Sequence, residues 1–308
     1  AARKEFVDIV NSMTVSNAKE WGAFEYNETK IGRLEDKIGK LEIVKLVPGV
    51  EWVAPDAYSG DNGIMLEEYA PYGVIGAITP VTHSVPTIAG NIINMVAAGN
   101  AVVFNPHPGG VKSAVMAISA YNAEIERRLG IRNLICCVGN PTLESYEAIA
   151  KSDDVAIMCI TGGSGVVKAA MKSGKKSICA GPGNPPVIVD ETADIAKAGK
   201  DIIDGCTFDN NLPCIAEKEV FALEAIADEL IHHMIQAGAY LISREQMLEL
   251  EKVVLVDGKN DKKTINKKWV GRDAKLILKQ IGINVGDEIR CVLCEAQEMD
   301  HFVQIELM

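Results

Sequence analysis

VIGAIT at residues 74–79 reads as a buried β-strand, and a helix rich in small residues follows it. Three further apolar strands, each with a helical segment after it, are predicted at 101–104, 133–138 and 155–160. Strands that alternate with helices are typical of a parallel sheet that is covered by helices on both faces. The sequence therefore predicts a parallel α/β sheet in this part of the chain.

A second α/β unit is expected to begin near Asn184. Its predicted elements are strands at 186–190 and 219–222 and helices at 193–206 and 226–237. We accordingly divide the chain into domains at 1–183 and 184–308. Outside these elements the pattern predicts an opening helix over 2–27, a loop at 55–63, and a charged, lysine-rich, mobile loop at 257–268.

The composition favours a globular intracellular protein that acts on small molecules. The 308 residues include 42 acidic and 31 basic side chains, and the net charge of −11 argues against a nucleic-acid binder, which needs a basic face. No run approaches the roughly eighteen apolar residues of a membrane-spanning helix. The first five residues lack the apolar core of a signal peptide. The 8 scattered cysteines do not form a disulfide scaffold, so we expect them to be reduced.

Cys214 is the candidate nucleophile. It lies in FDNNLPCIA, residues 208–216, between a polar turn and an apolar stretch. A thiolate attacks an aldehyde to give a thiohemiacetal, and loss of hydride to a nicotinamide then leaves a thioester. The alternative is a buried structural cysteine, which is the commoner case. That interpretation fits the cysteines inside predicted strands, after a strand or at the end of a helix, namely Cys136, Cys137, Cys159, Cys179 and Cys206.

Two other patterns are interpreted as structural. Cys291 and Cys294 form a single C-x-x-C in a strand-like run without a second ligand pair, so no metal site is predicted. His232 and His233 fall on a predicted helix, where a solvated face explains them.

Two polar turns follow predicted strands. TGGSG at 161–165 joins a strand to a helix, where small residues let an anion approach the N–H groups of the helix N-terminus. It is not the dinucleotide-binding fingerprint, and a tight turn without a ligand explains the segment equally well. NPHP at 105–108 follows another strand. There His107 either contacts a nucleotide ribose or lies in a rigid turn, and on this segment alone the rigid turn is favoured.

Five segments occur in a fixed order: PYGVIGAITP at 71–80, PHP at 106–108, ITGG at 160–163, GNPP at 183–186 and the segment 208–218. With them, the chain resembles the aldehyde dehydrogenase superfamily over nearly its whole length. More narrowly, it resembles the CoA-acylating propionaldehyde and acetaldehyde dehydrogenases of bacterial microcompartments. The resemblance implies an α/β fold with a Rossmann-like NAD-binding domain followed by a second α/β catalytic domain. It also implies NAD and CoA as cofactors, and NAD is preferred to NADP on the resemblance alone.

The resemblance assigns roles to individual residues. Cys214 matches the nucleophile, and its backbone N–H would form half of the oxyanion hole. Thr82 matches the position of the second donor, with His83 next to it, and relatives tend to have asparagine at the His83 position. The implied cofactor-binding residues are Thr79 and Pro80 after the first strand, His107 at the adenosine ribose, Thr161, Gly162 and Gly163 at the pyrophosphate, and Glu306 at the nicotinamide ribose.

Ala180 indicates which acyl acceptor completes the reaction. Hydrolytic relatives carry a glutamate at this position that activates water. An alanine cannot accept a proton, so water should attack a thioester slowly. A thiol needs less help, because its pKa lies many units below that of water. We therefore expect acyl transfer to CoA rather than hydrolysis.

The predicted reaction is the oxidation of acetaldehyde or propionaldehyde to its acyl-CoA with NAD. One alternative is the aldehyde dehydrogenase half of a bifunctional aldehyde–alcohol dehydrogenase; a hydrolytic enzyme is less favoured because of Ala180. Another alternative is a non-catalytic, truncated binding or assembly module, since the chain stops at Met308 inside a motif that longer relatives continue. We accordingly expect a C-terminally incomplete catalytic domain.

The resemblance also concerns assembly and location. It implies a homo-oligomer in which residues 61–70 supply an oligomerisation strand, located in the cytoplasm and inside a bacterial microcompartment whose shell is a partner. A lysine cluster either meets CoA phosphates or belongs to a solvated loop, and the solvated loop is favoured. Its members are Lys262, Lys263, Lys267 and Lys268.

Overall fold

The structure, a computed structural model, describes residues 1–258 and 262–306. Its contacts divide the chain into two compact units. The first consists of residues 1–30 and 37–181, and the second of residues 31–36 together with the chain from Pro182 onward. The short segment 31–36 therefore belongs with residues far along the sequence.

The first unit contains a parallel sheet, a separate hairpin and the helices around the sheet. Its strands are β1 (Asp56–Gly60), β2 (Gly63–Glu67), β3 (Val74–Thr79), β4 (Ala101–Pro106), β5 (Ile135–Cys137), β6 (Val155–Thr161) and β7 (Ser177–Ala180). Its helices are α1 (Ala2–Ser16), α2 (Ala18–Thr29), most of α3 (Leu34–Glu42), α4 (Ser84–Ala97), α5 (Val111–Leu129), α6 (Leu143–Lys151) and α7 (Ser164–Lys172).

The sheet has five parallel strands in the order β5-β4-β3-β6-β7. From β3 the chain moves outward through β4 to β5, then returns to the other side of β3 as β6 and moves outward to β7. The strand order thus reverses between β3 and β6. In open α/β sheets, ligands bind beyond the carboxyl ends of the strands at such a reversal. This topology confirms the predicted Rossmann-like α/β fold.

The central strand is buried on both faces, as the apolar sequence predicts. Successive residues of a strand point to opposite faces. Ala77 lies in one apolar cluster with α1, α4 and α5, whereas Gly76 faces the side covered by α6. A Cβ at Gly76 would lie 2.5 Å from the Ile149 side chain and 2.6 Å from the Met158 sulfur. Only glycine therefore lets α6 approach β3 this closely.

The prediction of a loop at 55–63 is wrong, because this segment begins a β-hairpin. Strands β1 and β2 pair antiparallel with Asp56 opposite Glu67 and Gly60 opposite Gly63. The connecting residues lead into Gly63, whose φ of +129° is one that glycine adopts without strain. Every residue of both strands is exposed, so the alternation of buried and exposed residues that marks most strands is absent from this described segment.

Three other element predictions need correction. The opening helix is two helices, because Asn17 leaves helical geometry at φ −99° and its side chain donates to the Met13 carbonyl at 2.7 Å. Cys179 lies inside β7, paired with Ile160, rather than after a strand. The segment predicted as the loop 257–268 contains paired strand residues, while residues 259–261 lie outside the described part of the chain.

The second unit is a smaller α/β arrangement. Its elements are β8 (Pro186–Val189), α8 (Ile195–Cys206), β9 (Glu219–Ala222), α9 (Glu224–Gln236), β10 (Ala239–Leu241), α10 (Arg244–Val254), β11 (Leu255–Asp257), β12 (Lys263–Ile265), α11 (Ala274–Leu278), β13 (Cys291–Leu293) and α12 (His301–Gln304). Strands β8 and β9 pair in parallel, as do β10 and β13, whereas β11 and β12 pair antiparallel. Helices α8 and α9 bury one face of the β8–β9 pair.

A span across a membrane would need a long apolar helix. Among the helices of residues 1–258 and 262–306, none is both long and apolar enough for this.

Candidate active site

The carboxyl edge of the parallel sheet carries the predicted cofactor residues of the first unit. Thr79 ends β3, Pro80 follows it, and the Thr79 carbonyl accepts a hydrogen bond from the His107 N–H at 2.9 Å. Thr161 ends β6 opposite Ala180. Thr79 and Thr161 thus flank the reversal of the strand order. The buried Thr79 hydroxyl has no hydrogen-bond partner in the described part of the chain, so it can bond to a ligand there.

Carboxylates from α2 occupy two helix N-termini at this edge. The buried Glu25 accepts hydrogen bonds from the N–H groups of Ser84 at 3.4 Å and Val85 at 3.0 Å, at the start of α4. Glu28 accepts from the N–H groups of Lys112 at 2.8 Å and Ser113 at 2.7 Å, at the start of α5. Each carboxylate satisfies N–H groups that would otherwise attract an anion.

The N-terminus of α7 differs from those of the helices after β3, β4 and β5. The Thr142 side chain caps α6, but within the described residues no side chain caps α7. A Cβ at Gly162 or Gly163 would meet no described atom within 4 Å, so packing inside the protein does not require glycine at either position. Open space beside uncapped N–H groups fits a phosphate that approaches the backbone closely. Gly162 is also tied to Ala180, whose carbonyl accepts its N–H at 3.1 Å.

Two buried lysines support the loop that carries Thr82 and His83. Lys37 and Lys40, both 1% exposed, each donate to the Thr82 carbonyl at 3.1 Å. Lys37 also forms an ion pair with Glu25 at 3.4 Å. The Thr82 carbonyl is therefore held toward the interior. Because a trans peptide places C=O and N–H on opposite sides, the His83 N–H points the other way.

His83 is held in its neutral form. Its Nδ1 is buried and finds no hydrogen-bond partner among residues 1–258 and 262–306. Burial, followed by the charges of Lys40 and Lys37, holds the pKa of His83 well below its usual range. The imidazole thus offers a neutral N–H donor rather than a cation. Whether Thr82 or His83 supplies the second oxyanion donor stays a prediction.

Cys214 follows a turn with an uncommon backbone. Asp209, Asn210 and Asn211 all have left-handed geometry, with φ of 49°, 52° and 60°. Among residues other than glycine, Asn and Asp tolerate this region best, because their short side chains can bond locally. The sequence FDNNLP signalled a tight polar turn, but it gave no sign of three successive left-handed residues.

Side-chain anchors hold this turn in place. The fully buried Asp209 accepts the Arg33 N–H at 2.7 Å, and its own N–H donates to Asp36 at 2.8 Å. Asn210 donates to the Gly271 carbonyl at 3.0 Å and to Asp273 at 2.9 Å. The turn is therefore bound to two segments that are distant in sequence, which sequence reasoning missed.

Exposure separates Cys214 from the other cysteines. All 8 are described and free, and Cys214 is the exposed one. Burial raises the pKa of the Cys137 and Cys294 thiols to about 11, and it also raises the pKa of Cys159. A raised thiol pKa leaves little thiolate near neutral pH. The structure thus supports the structural interpretation of these three cysteines and leaves Cys214 accessible to a substrate.

Glu306 lies near Cys214 in the second unit. A Cβ at Gly183 would be 3.8 Å from the Cys214 carbonyl, and the Gly183 N–H acts to lower the pKa of Glu306. Burial raises the pKa of Glu306, and its buried Oε1 has no partner in the described residues. This oxygen can accept a ligand hydroxyl, consistent with the predicted contact to a ribose. Lys218, which the sequence did not single out, has Cys214 and Glu306 among its neighbours.

Metal ligands form no candidate site in the part of the chain that is described, because no group of three His, Cys, Asp or Glu residues converges there.

The chain belongs to the aldehyde dehydrogenase family, whose sequence profile matches residues 46–253. A CoA-propanoylating propanal dehydrogenase from Salmonella typhimurium is 45% identical to it over 84% of this chain and 55% of its own length. Five curated acetaldehyde and propanal dehydrogenases that it matches are longer, and the chain spans between 55% and 67% of their length.

Two solved structures extend this similarity to the fold. A propionaldehyde dehydrogenase from a fucose-utilisation microcompartment of Clostridium phytofermentans is 44% identical, with a TM-score of 0.91 over 100% of this chain and 70% of its own. A propionaldehyde dehydrogenase from Rhodopseudomonas palustris, with bound CoA and an acylated cysteine, is 42% identical at the same TM-score and coverage. The predicted family and fold are thus confirmed.

Proposed function

We propose that the protein oxidises a short aliphatic aldehyde, propionaldehyde or acetaldehyde, to its acyl-CoA. The observation that carries this proposal is the exposed Cys214 on an anchored left-handed turn in a member of the aldehyde dehydrogenase family. The first unit binds NAD and the second carries the nucleophile, so the roles follow the domain division proposed at residue 183. NAD held by the first unit would supply the acceptor for the hydride that leaves the aldehyde carbon.

The residues of the chain supply the remaining steps. The Cys214 thiolate attacks the aldehyde carbon, and the Cys214 N–H, with a donor from Thr82 or His83, stabilises the resulting oxyanion. When the oxyanion collapses, hydride departs and the acyl group remains on Cys214 as a thioester. The thiolate of CoA then attacks the thioester and releases Cys214.

The NAD site is proposed at the carboxyl edge of the sheet. The N-terminus of α7 with Gly162 and Gly163 would bind the pyrophosphate, because α4 and α5 are already occupied by Glu25 and Glu28. The unpartnered Thr79 hydroxyl, Pro80 and His107 would contact the rest of the nucleotide. The unpartnered Glu306 oxygen would accept from the nicotinamide ribose.

Transfer to CoA is proposed over hydrolysis because Ala180 offers no base. Ala180 is exposed at the end of β7, directly beside Thr161, so a proton-accepting side chain is lacking at this position of the edge. The Rhodopseudomonas palustris relative with bound CoA and an acylated cysteine supports the same acceptor.

Assembly and location are also proposals. The exposed hairpin, which includes Ile64 at 81% and Leu66 at 61% exposure, supports residues 61–70 as an oligomerisation segment. The microcompartment relative supports location inside such a compartment and contact with its shell. The aldehyde dehydrogenase half of a bifunctional enzyme remains the alternative function.

The test is NADH formation at 340 nm from propionaldehyde and NAD, with and without CoA. We expect sustained turnover only with CoA, and Cys214→Ser should abolish it because a serine hydroxyl is not ionised near neutral pH. Cys136→Ser is the matched control and should retain activity. Equal turnover without CoA would contradict transfer to CoA, and a folded protein that is inactive in both assays would contradict the enzymatic function.

A further inference from the structure

Lys218 is a partly buried lysine that the proposed chemistry does not use. Its backbone N–H donates to the Pro185 carbonyl at 3.1 Å, immediately before β9. Its ammonium donates to the Asn211 carbonyl at 3.0 Å and also to the Asn211 side-chain oxygen. A lysine ammonium that is removed from water must recover hydrogen bonds from partners in the protein. The bonds to Asn211 therefore indicate a specific position for the Lys218 side chain.

These contacts close a loop that carries the nucleophile. Asn211 also donates from its side chain to the Glu217 carbonyl at 3.0 Å. Residue 211 is therefore hydrogen-bonded to both 217 and 218. The segment between them forms a loop that carries the exposed Cys214. Within the loop a tight turn is closed by the Ala216 N–H, which donates to the Pro213 carbonyl at 3.0 Å.

The neighbours of the ammonium are two carboxylates and two cysteines. The groups that face it are Glu306, Cys214, Cys206 and Glu217. Burial lowers the pKa of Lys218 from its usual 10.5, and the carboxylates of Glu306 and Glu217 oppose the change. The ammonium is thus lost at a lower pH than that of an exposed lysine.

We propose that Lys218 is a positioning residue for Cys214, whose ammonium closes the loop 211–218 and so fixes the direction of the Cys214 backbone N–H. The inference rests on the proposed function, in which that N–H stabilises the oxyanion. The ammonium does not touch the reacting atoms. It holds Asn211 in its left-handed conformation through hydrogen bonds to both the Asn211 carbonyl and the Asn211 side-chain oxygen.

The experiment compares Lys218→Met and Lys218→Arg with the unsubstituted protein in two measurements. Lys197→Met is the control, because Lys197 is 69% exposed on α8 of the same unit. The first measurement is hydrogen exchange of the peptide that covers residues 209–218, which requires no catalytic activity. We expect exchange about tenfold faster in Lys218→Met and unchanged in the control, because an open loop exposes its amides.

The second measurement is CoA-dependent NADH formation from pH 7 to pH 11. In Lys218→Met we expect kcat to fall about tenfold to a hundredfold with little change in KM, since a misplaced N–H affects the transition state. In the unsubstituted protein kcat should fall as pH rises through the lowered pKa of Lys218. Lys218→Arg should retain activity at pH 8 and lack this alkaline fall, because arginine keeps its proton.

Each outcome decides the proposal. Unchanged exchange in Lys218→Met would overturn it whatever the activity. Faster exchange with an unchanged kcat would also overturn it, because Lys218 would then be only structural. No CoA-dependent turnover in the unsubstituted protein would instead contradict the proposed function, while the exchange measurement would still decide whether Lys218 closes the loop.

Discussion

Single residues determine the backbone conformation before Cys214. Asn210 combines a φ of 52° with two side-chain hydrogen bonds, to Gly271 and Asp273. The bonds offset the cost of the left-handed conformation, which is about 1–2 kcal/mol for an ordinary residue. The left-handed conformation and the two hydrogen bonds contribute separately to stability, and different substitutions at Asn210 can distinguish the two contributions.

Asn210→Ala and Asn210→Gly should differ in stability. Both lose the two hydrogen bonds, but only alanine adds the cost of left-handed geometry, so the alanine variant should be less stable than the glycine variant by about 1–2 kcal/mol. The midpoints of urea-induced unfolding of both variants and the unsubstituted protein measure this. Equal midpoints for the two variants would show that the conformation is not strained.

At the scale of elements, helix ends decide where an anion can bind. α4 and α5 begin at internal carboxylates, whereas α7 begins at glycines beside open space. The helix that follows the first strand is the one that binds pyrophosphate in many dinucleotide-binding folds. Here Glu25 occupies that end, which supports our proposal that the pyrophosphate binds at α7, on the other side of the strand reversal.

Gly163→Asp and Gly163→Ala test the role of α7. Gly163 has extended backbone geometry, φ −64° and ψ 163°, which suits an N-cap aspartate. The aspartate should stabilise the helix relative to alanine by about 1 kcal/mol. It should also weaken NAD binding about tenfold or more, because its carboxylate competes for the N–H groups and repels the pyrophosphate. In Gly163→Asp, the NAD affinity measured by calorimetric titration should therefore be lower than in Gly163→Ala, whereas the stability measured by urea unfolding should be higher. Unaltered NAD affinity would place the pyrophosphate elsewhere.

At the scale of the whole molecule, the sequence predicted the buried parts better than the exposed ones. β3, β4 and β6 were recognisable because strands covered on both faces are continuous apolar runs. The hairpin β1–β2 was missed because both of its faces are exposed, so no pattern of period two arises. Nothing in the sequence singled out Lys37 and Lys40, and only the tertiary structure shows that they are buried beneath Thr82.

The site was predictable in the same partial way. Cys214, Thr161 to Gly163 and His107 could be singled out as candidates because strand ends and polar turns mark them in the sequence. The contacts of Asp209 with Arg33 and Asp36 were not, because they join residues 173 to 176 positions apart. Contacts between residues so far apart leave no local signal in the sequence. From the sequence, Asp209 is therefore interpreted only as part of an ordinary polar turn.

Assembly should depend on the exposed hairpin. Ile64 and Leu66 lie on one face of β2, and replacing both by lysine should shift the protein to a smaller assembly, because charges oppose burial of this face. Light scattering after size exclusion measures the mass. Leu143→Lys, at a leucine that is 75% exposed on α6, is the control and should leave the mass unchanged. An unaltered mass in the double variant would exclude the hairpin from the interface.

The contact between Arg33 and Asp209 also bears on how the chain folds as it is made. The two residues are 176 positions apart, and at about 5–20 residues per second the ribosome needs roughly 9–35 seconds to add the second after the first. During this interval the sheet strands of the first unit can emerge and fold, whereas the segment 31–36 has no partner yet. The turn before Cys214 can take its anchored form only after both segments have been made, so during translation Arg33 and Asp36 wait without the partner that later holds them.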